Sequence, residues 1–160
     1  MKKLLPLLCG ALLLLAACRR DAAITDTTLT FPTGTWNHFQ PEQLDVRVDN
    51  VEDYYDIDLT VSVDTARYRY SEFPVRFELT SPAGESRQFY SKVTLKENGR
   101  WRGEAEGGLR TVKGRVRSYF SFNHAGTHSL SLYQTTGQFD LEGIHSLRLQ
   151  ITRATVDYNL

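Results

Sequence analysis

Asp56-Ile57-Asp58-Leu59-Thr60-Val61-Ser62-Val63-Asp64 is the stretch whose reading settles the fold class. Its apolar residues fall on every second position, and polar ones fill the gaps. Successive side chains on a strand point to opposite faces, so such a segment has one dry face and one wet face. A helix would scatter the same four apolar residues around its circumference.

The same period of two extends in both directions. Upstream, Leu44, Val46 and Val48 alternate with Asp45, Arg47 and Asp49. Downstream, Val75, Phe77 and Leu79 alternate with Arg76, Glu78 and Thr80, and the turn Pro82-Ala83-Gly84 follows. Phe89, Val93 and Leu95 share a face before a second turn at Asn98-Gly99. Val112, Val116, Phe120 and Phe122 lie on one parity, with Lys113, Arg115 and Arg117 on the other. The segment from Asn123 to Gly126 turns the chain into Leu130 and Leu132, and a last strand places Leu147, Leu149 and Ile151 inward. No window shows a helical stripe. With a strand around Leu29 to Phe31, the pattern predicts about 7–8 strands in an all-β, antiparallel β-sandwich of Ig-like or jelly-roll-like type. A closed barrel shares this alternation, which does not count sheets.

The 160 residues suit one domain, with 41% hydrophobic and 24% charged residues, near globular averages. The first residues have a different character. Lys2 and Lys3 precede an apolar run, Leu4 to Leu15, shorter than the roughly 20 residues a spanning helix needs. The run ends in Leu15-Ala16-Ala17-Cys18, a lipobox: small residues for a narrow peptidase site, then the sulfur that accepts diacylglycerol. Three segments are expected: a signal peptide over 1–17, lipidated Cys18 with a tether over 18–30, and the sandwich over 31–160. Cys9 leaves with the leader, so the mature chain has no second cysteine for a disulfide. Lys2 and Lys3 leave as well, and the mature chain then holds two more acids than bases. That balance gives no electrostatic case for nucleic acid. Arg19-Arg20-Asp21 after the anchor points to an outer-membrane lipoprotein on the periplasmic face.

Residues that carry chemistry are sparse. His38, His124, His128 and His145 lack ligand spacing, and no His-Glu-x-x-His, Gly-x-Ser-x-Gly or phosphate-cradling loop occurs. The reading is therefore noncatalytic, with no cofactor and no metal. His128 falls where a packing aromatic fits. The acidic run Asp49-Asn50-Val51-Glu52-Asp53 reads as a solvated loop, with a calcium site as the alternative. Lys113, Arg115 and Arg117 form a basic stripe that needs acidic neighbours, which Asp56, Asp58 and Asp64 supply if the strands pair. Otherwise it is a docking surface for an anionic partner. Tyr68, Tyr70 and Trp101 fall in connecting segments, where such rings cap a sandwich end, anchor an interface or serve as sugar platforms.

An ordered series of motifs adds a family. Trp36-Asn37-x-Phe39, Tyr55-Asp56-Ile57, Tyr68-Arg69-Tyr70, Asn98-Gly99-Arg100-Trp101-x-Gly103, Gly126-Thr127 and Leu141-Glu142-Gly143-Ile144 follow the lipobox in that order. The set resembles the gliding-motility lipoprotein family GldH of Bacteroidetes over nearly the whole chain. The resemblance implies an outer-membrane lipoprotein that works through contacts with envelope proteins of a motility or secretion apparatus. It supplies no catalytic residues. Candidate partner contacts are Tyr68, Tyr70, Trp101 and Arg102, then Lys113, Arg115 and Arg117. A glycan-binding lipoprotein of a polysaccharide-uptake system is the alternative.

Overall fold

A computed structural model describes residues 23–155, and within them the chain is all β with no helix. Eight strands have six or more residues: β1 (Thr25–Thr30), β3 (Glu42–Val48), β4 (Tyr54–Asp64), β5 (Glu72–Thr80), β6 (Ser86–Thr94), β10 (Leu109–Ser121), β11 (Gly126–Gln134) and β13 (Ile144–Arg153). These correspond to the strands expected from alternation. Five more have only two or three residues: β2 (Thr35–Asn37), β7 (Lys96–Glu97), β8 (Arg100–Trp101), β9 (Glu104–Glu106) and β12 (Asp140–Glu142). The expected total of 7–8 therefore rises to thirteen, because a period of two has no meaning over two or three residues.

Two antiparallel sheets carry the fold, ordered β1-β13-β4-β10-β9 and β3-β11-β5-β6. Two small ribbons, β12-β2 and β7-β8, complete it. β4 lies inside the larger sheet with β13 and β10 on its flanks, and its Leu59, Val61 and Val63 are buried. From the facing sheet come Val46, Val75, Phe77, Leu130 and Leu132, all buried. Burial of these alternating faces is the main stabilising term. Along one side the sheets touch: Ser91 donates its hydroxyl to the Val116 carbonyl at 3.1 Å, and the Phe89 and Phe120 rings lie 5.7 Å apart.

The tether expected over 18–30 is too long. Residues 25–30 form β1, paired with β13 from Thr25↔Ile151 to Thr30↔Ser146, and Ile24 already donates to the Ile151 carbonyl. Thr-Asp-Thr-Thr-Leu-Thr carries one large apolar residue, so its strand character comes from the ladder and from Asp26, which accepts two 2.7 Å hydrogen bonds from Arg148. The expected leader and Cys18 lie outside the described residues.

Register gives the sandwich two distinct ends. At the tether end lie Thr25, Tyr54, the 81–85 turn and the link from Ser121 to Gly126. The distal end holds Asp64, Leu109, Ile144, Glu72, Gln134 and Glu42, capped by the β2-β12 ribbon. The ten residues of β13 separate the ends by about 30 Å.

Candidate functional site

The distal end presents two phenylalanines to solvent. Phe39, in the turn between β2 and β3, is 70% exposed, and Phe139, just before β12, is 71% exposed. Their ring centroids lie 5.7 Å apart, and with His38, Gly137 and Gln138 they line a concavity of about 250 Å³. Isolated exposed apolar residues are ordinary, but two adjacent aromatic rings on separate loops are a patch that needs an explanation.

Both loops are tied down. Trp36 is buried, stacks on Phe73, and donates its indole N–H to the Gln40 carbonyl at 2.8 Å. The Asn37 side chain accepts from the Phe39 amide and donates to Asp140. His38 donates its amide to the Phe139 carbonyl at 2.7 Å, which joins the loops. On the other side Gln134 is 0% exposed, and its amide group donates to the Gln138 carbonyl. Its oxygen accepts from both the amide and the hydroxyl of Thr136. A buried amide bonded through both its nitrogen and its oxygen fixes a loop, because leaving either group unpaired is costly. Asn37, Gln40, Gln138 and Asp140 surround the rings, giving the apolar centre and polar rim of protein interfaces.

The residues singled out from sequence are dispersed differently from expectation. Tyr68 is not a surface contact. It is 2% exposed, donates its hydroxyl to the Glu72 carbonyl at 2.9 Å, and burial pushes its pKa up. The 65–71 segment folds inward there because Tyr68 packs in the core, with Tyr70 edge-on at 5.7 Å. Tyr70 is half-buried and borders two shallow concavities at the distal end. Trp101 is half-buried against the core, and the Lys96 ammonium sits 4.1 Å from its ring centroid. It therefore has no open platform for a sugar. Arg102 is exposed, 4.0 Å from Glu97. Tyr70, Trp101 and Arg102 thus share the distal end with the phenylalanine pair.

The basic stripe has the acidic neighbours it needs. β10 pairs with β4 so that Arg115 faces Asp58, which is 6% exposed. Arg115 bonds both Asp58 and Asp56, and Lys113 lies 3.1 Å from Asp58. Burial works to raise the Asp58 pKa, but the hydrogen bonds from Arg115 and Lys113 outweigh it and hold it below the usual value. Asp64, the third expected partner, lies opposite Leu109 instead. Lys113 and Arg115 are therefore neutralised locally, whereas Arg117 lies past a bulge in β10 and points to Phe89.

His128 is buried edge-on to Phe122, as expected of a packing aromatic. In the acidic loop, Asn50 bonds Asp53 and its carbonyl accepts from Tyr55. Among the described residues, no three His, Cys, Asp or Glu side chains come together in a metal-holding group. The sequence reading passed over Phe139 entirely and took Phe39 only as part of a motif. Both sit in polar turns, His38-Phe39-Gln40 and Gln138-Phe139-Asp140, outside every alternating run, and that was the available signal.

No curated protein matches the sequence. The model describing the GldH lipoprotein matches residues 23–151, a span that includes both sheets and the distal loops. With most of its length matched, the chain belongs to the GldH lipoprotein family.

Proposed function

We propose that this protein is a noncatalytic envelope lipoprotein that holds a protein partner at its distal end, in motility or envelope assembly. Residues 1–17 are removed, Cys18 carries the lipid, and the domain stands on the periplasmic face of the outer membrane. The observation that carries the docking reading is the rigidly mounted pair of exposed rings at Phe39 and Phe139. Burying them removes roughly 250 Å² of apolar surface, on the order of 6 kcal/mol before the costs of association.

Geometry favours a protein as the occupant. Six residues lie between Cys18 and Thr25, so seven steps of chain give a reach of at most about 25 Å from the tether end. The bilayer that holds the lipid therefore lies at the opposite end from the rings. Ala154, just after β13, donates its amide to the Tyr54 carbonyl at 2.8 Å, so the last described residues also lie at the tether end.

Affinity purification of the tagged full chain from crosslinked membranes tests the docking reading. Recovery of motility or secretion components supports it, and repeated recovery of none refutes it. A deletion strain scored for surface motility and for secretion separates the two processes. Cys18→Ala is expected to accumulate uncleaved precursor, and normal processing of that variant refutes the anchor.

A further inference from the structure

The tether end holds a second feature, at the seam where β10 meets β6. A concavity of about 530 Å³ opens there, lined by Arg87, Arg115, Arg117, Tyr119 and the backbone of β10 up to Ser121. It exists because β10 is irregular. Its register against β4 shifts between Arg115 and Arg117 and again between Arg117 and Phe120, so the strand arches away from its neighbour. Tyr119 takes φ +52°, uncommon for a residue with a side chain, and its amide is held by the Asp56 carboxylate at 3.1 Å. Strain of this kind at a cleft points to function.

The charge in this cleft is positive and poised. Arg115 is neutralised by Asp56 and Asp58. Arg87 and Arg117 appear in none of the ion pairs among the described residues. Arg87 is oriented by a 2.8 Å bond to the Ser121 carbonyl and lies over the Phe120 ring, and Arg117 lies over Phe89. Among the described residues of this end, Asp49 is paired with Arg47 and Asp53 with Arg153, and Glu85 shares a hydrogen bond with His124. Glu52 appears in no ion pair among the described residues. Two guanidinium groups lining one opening, Arg87 anchored and Arg117 free to hydrogen-bond, offer planar donor sets that suit phosphate.

Register also fixes where this cleft stands. Thr25 pairs with Ile151, Ile151 with Ile57, and Ile57 with Arg117, so Arg117 lies in one row with the first residue of β1. Three interstrand steps make that about 14 Å. Tyr54 and Tyr119 are both exposed at the same end, and tyrosine favours the headgroup level of a bilayer. We infer that the cleft between β10 and β6 binds a phosphate group through Arg87 and Arg117, and that this phosphate belongs to the headgroup of an anionic membrane lipid. The placement beside the bilayer rests on the acylation of Cys18 proposed above.

Native mass spectrometry of the full chain, purified from membranes in neutral detergent, tests this. Phosphatidylglycerol, phosphate-free diacylglycerol and inorganic phosphate are added separately. The expected result is a phosphatidylglycerol adduct at least fivefold weaker in Arg87→Lys and Arg117→Glu and unchanged in Lys96→Ala at the distal end. Arg117 makes no hydrogen bond among the described residues, so its variant keeps the fold, which the unfolding midpoint verifies. An arginine-dependent inorganic phosphate adduct without a lipid adduct supports the phosphate site and overturns the lipid as its source. Equal adducts in wild type and both arginine variants, or diacylglycerol bound as well as phosphatidylglycerol, overturn the proposal. The same spectra weigh Cys18, so an unmodified thiol refutes the anchor separately from the cleft.

Discussion

Phe39 and Phe139 belong to different loops, yet their rings stand 5.7 Å apart on the surface at an interplanar angle of 45°. The contact leaves both rings largely in water, so it adds little to stability. In the docking function proposed above, its use lies in what approaches it.

The double variant Phe39→Ser/Phe139→Ser is expected to unfold within about 2 °C of the wild type, as surface changes shift stability by about 0.5 kcal/mol or less. Capture of the crosslinked partner should fall at least about tenfold, the loss of an aromatic hot spot. A midpoint drop above about 5 °C would show the rings to be structural.

Gln134→Leu removes the amide that bonds Gln138 and Thr136. A stability loss of about 1–3 kcal/mol is expected by urea unfolding. Partner capture should weaken as well, although Gln134 is buried and touches no partner. Unchanged capture would separate the loop's rigidity from docking.

Asp58→Asn should cost about 1–3 kcal/mol at neutral pH, since Arg115 and Lys113 lose their shared carboxylate. Arg115→Met removes the same contact, so the double variant should cost less than the two single changes combined. Because the Asp58 pKa is held below 3.8, its contribution is full above that value and is lost as pH falls through the lower folded value. Urea midpoints from pH 7 to 2 should show this acid limb flattened in Asp58→Asn.

His128 gives a second and separate pH window. Burial, with Arg87 and His124 nearby, lowers its pKa below 6.5, and its buried Nδ1 has no hydrogen-bond partner. The unfolded chain therefore takes up the proton first. Stability attributable to the neutral ring is full above pH 6.5 and declines as pH falls below it. His128→Met should reduce that decline between pH 6.5 and 5, and an identical pH profile for the two proteins would refute it.

The positions of the long strands along the chain from Leu44 to Ile151 were legible because each has a dry face, and burial of alternate residues is a local property of sequence. The motif glycines were legible as motifs but not as geometry. Gly143 has φ +83°, and a Cβ there would meet the Tyr68 backbone nitrogen. A Cβ on Gly103 would meet the Thr111 carbonyl oxygen. The first contact joins segments remote in sequence, and the second lies within the β9–β10 hairpin. β1 was legible only around Leu29, because its single large apolar residue gives no period, and β13 supplies what holds the rest.

Sequence alone determined the two-faced strands and the family resemblance, since each is written in neighbouring residues. Tertiary structure alone decided that Tyr68 turns inward, that Asp58 gathers Arg115 and Lys113, and that Phe39 meets Phe139. Those outcomes depend on register between distant strands, and register minimises the energy of the whole sandwich rather than of any one segment.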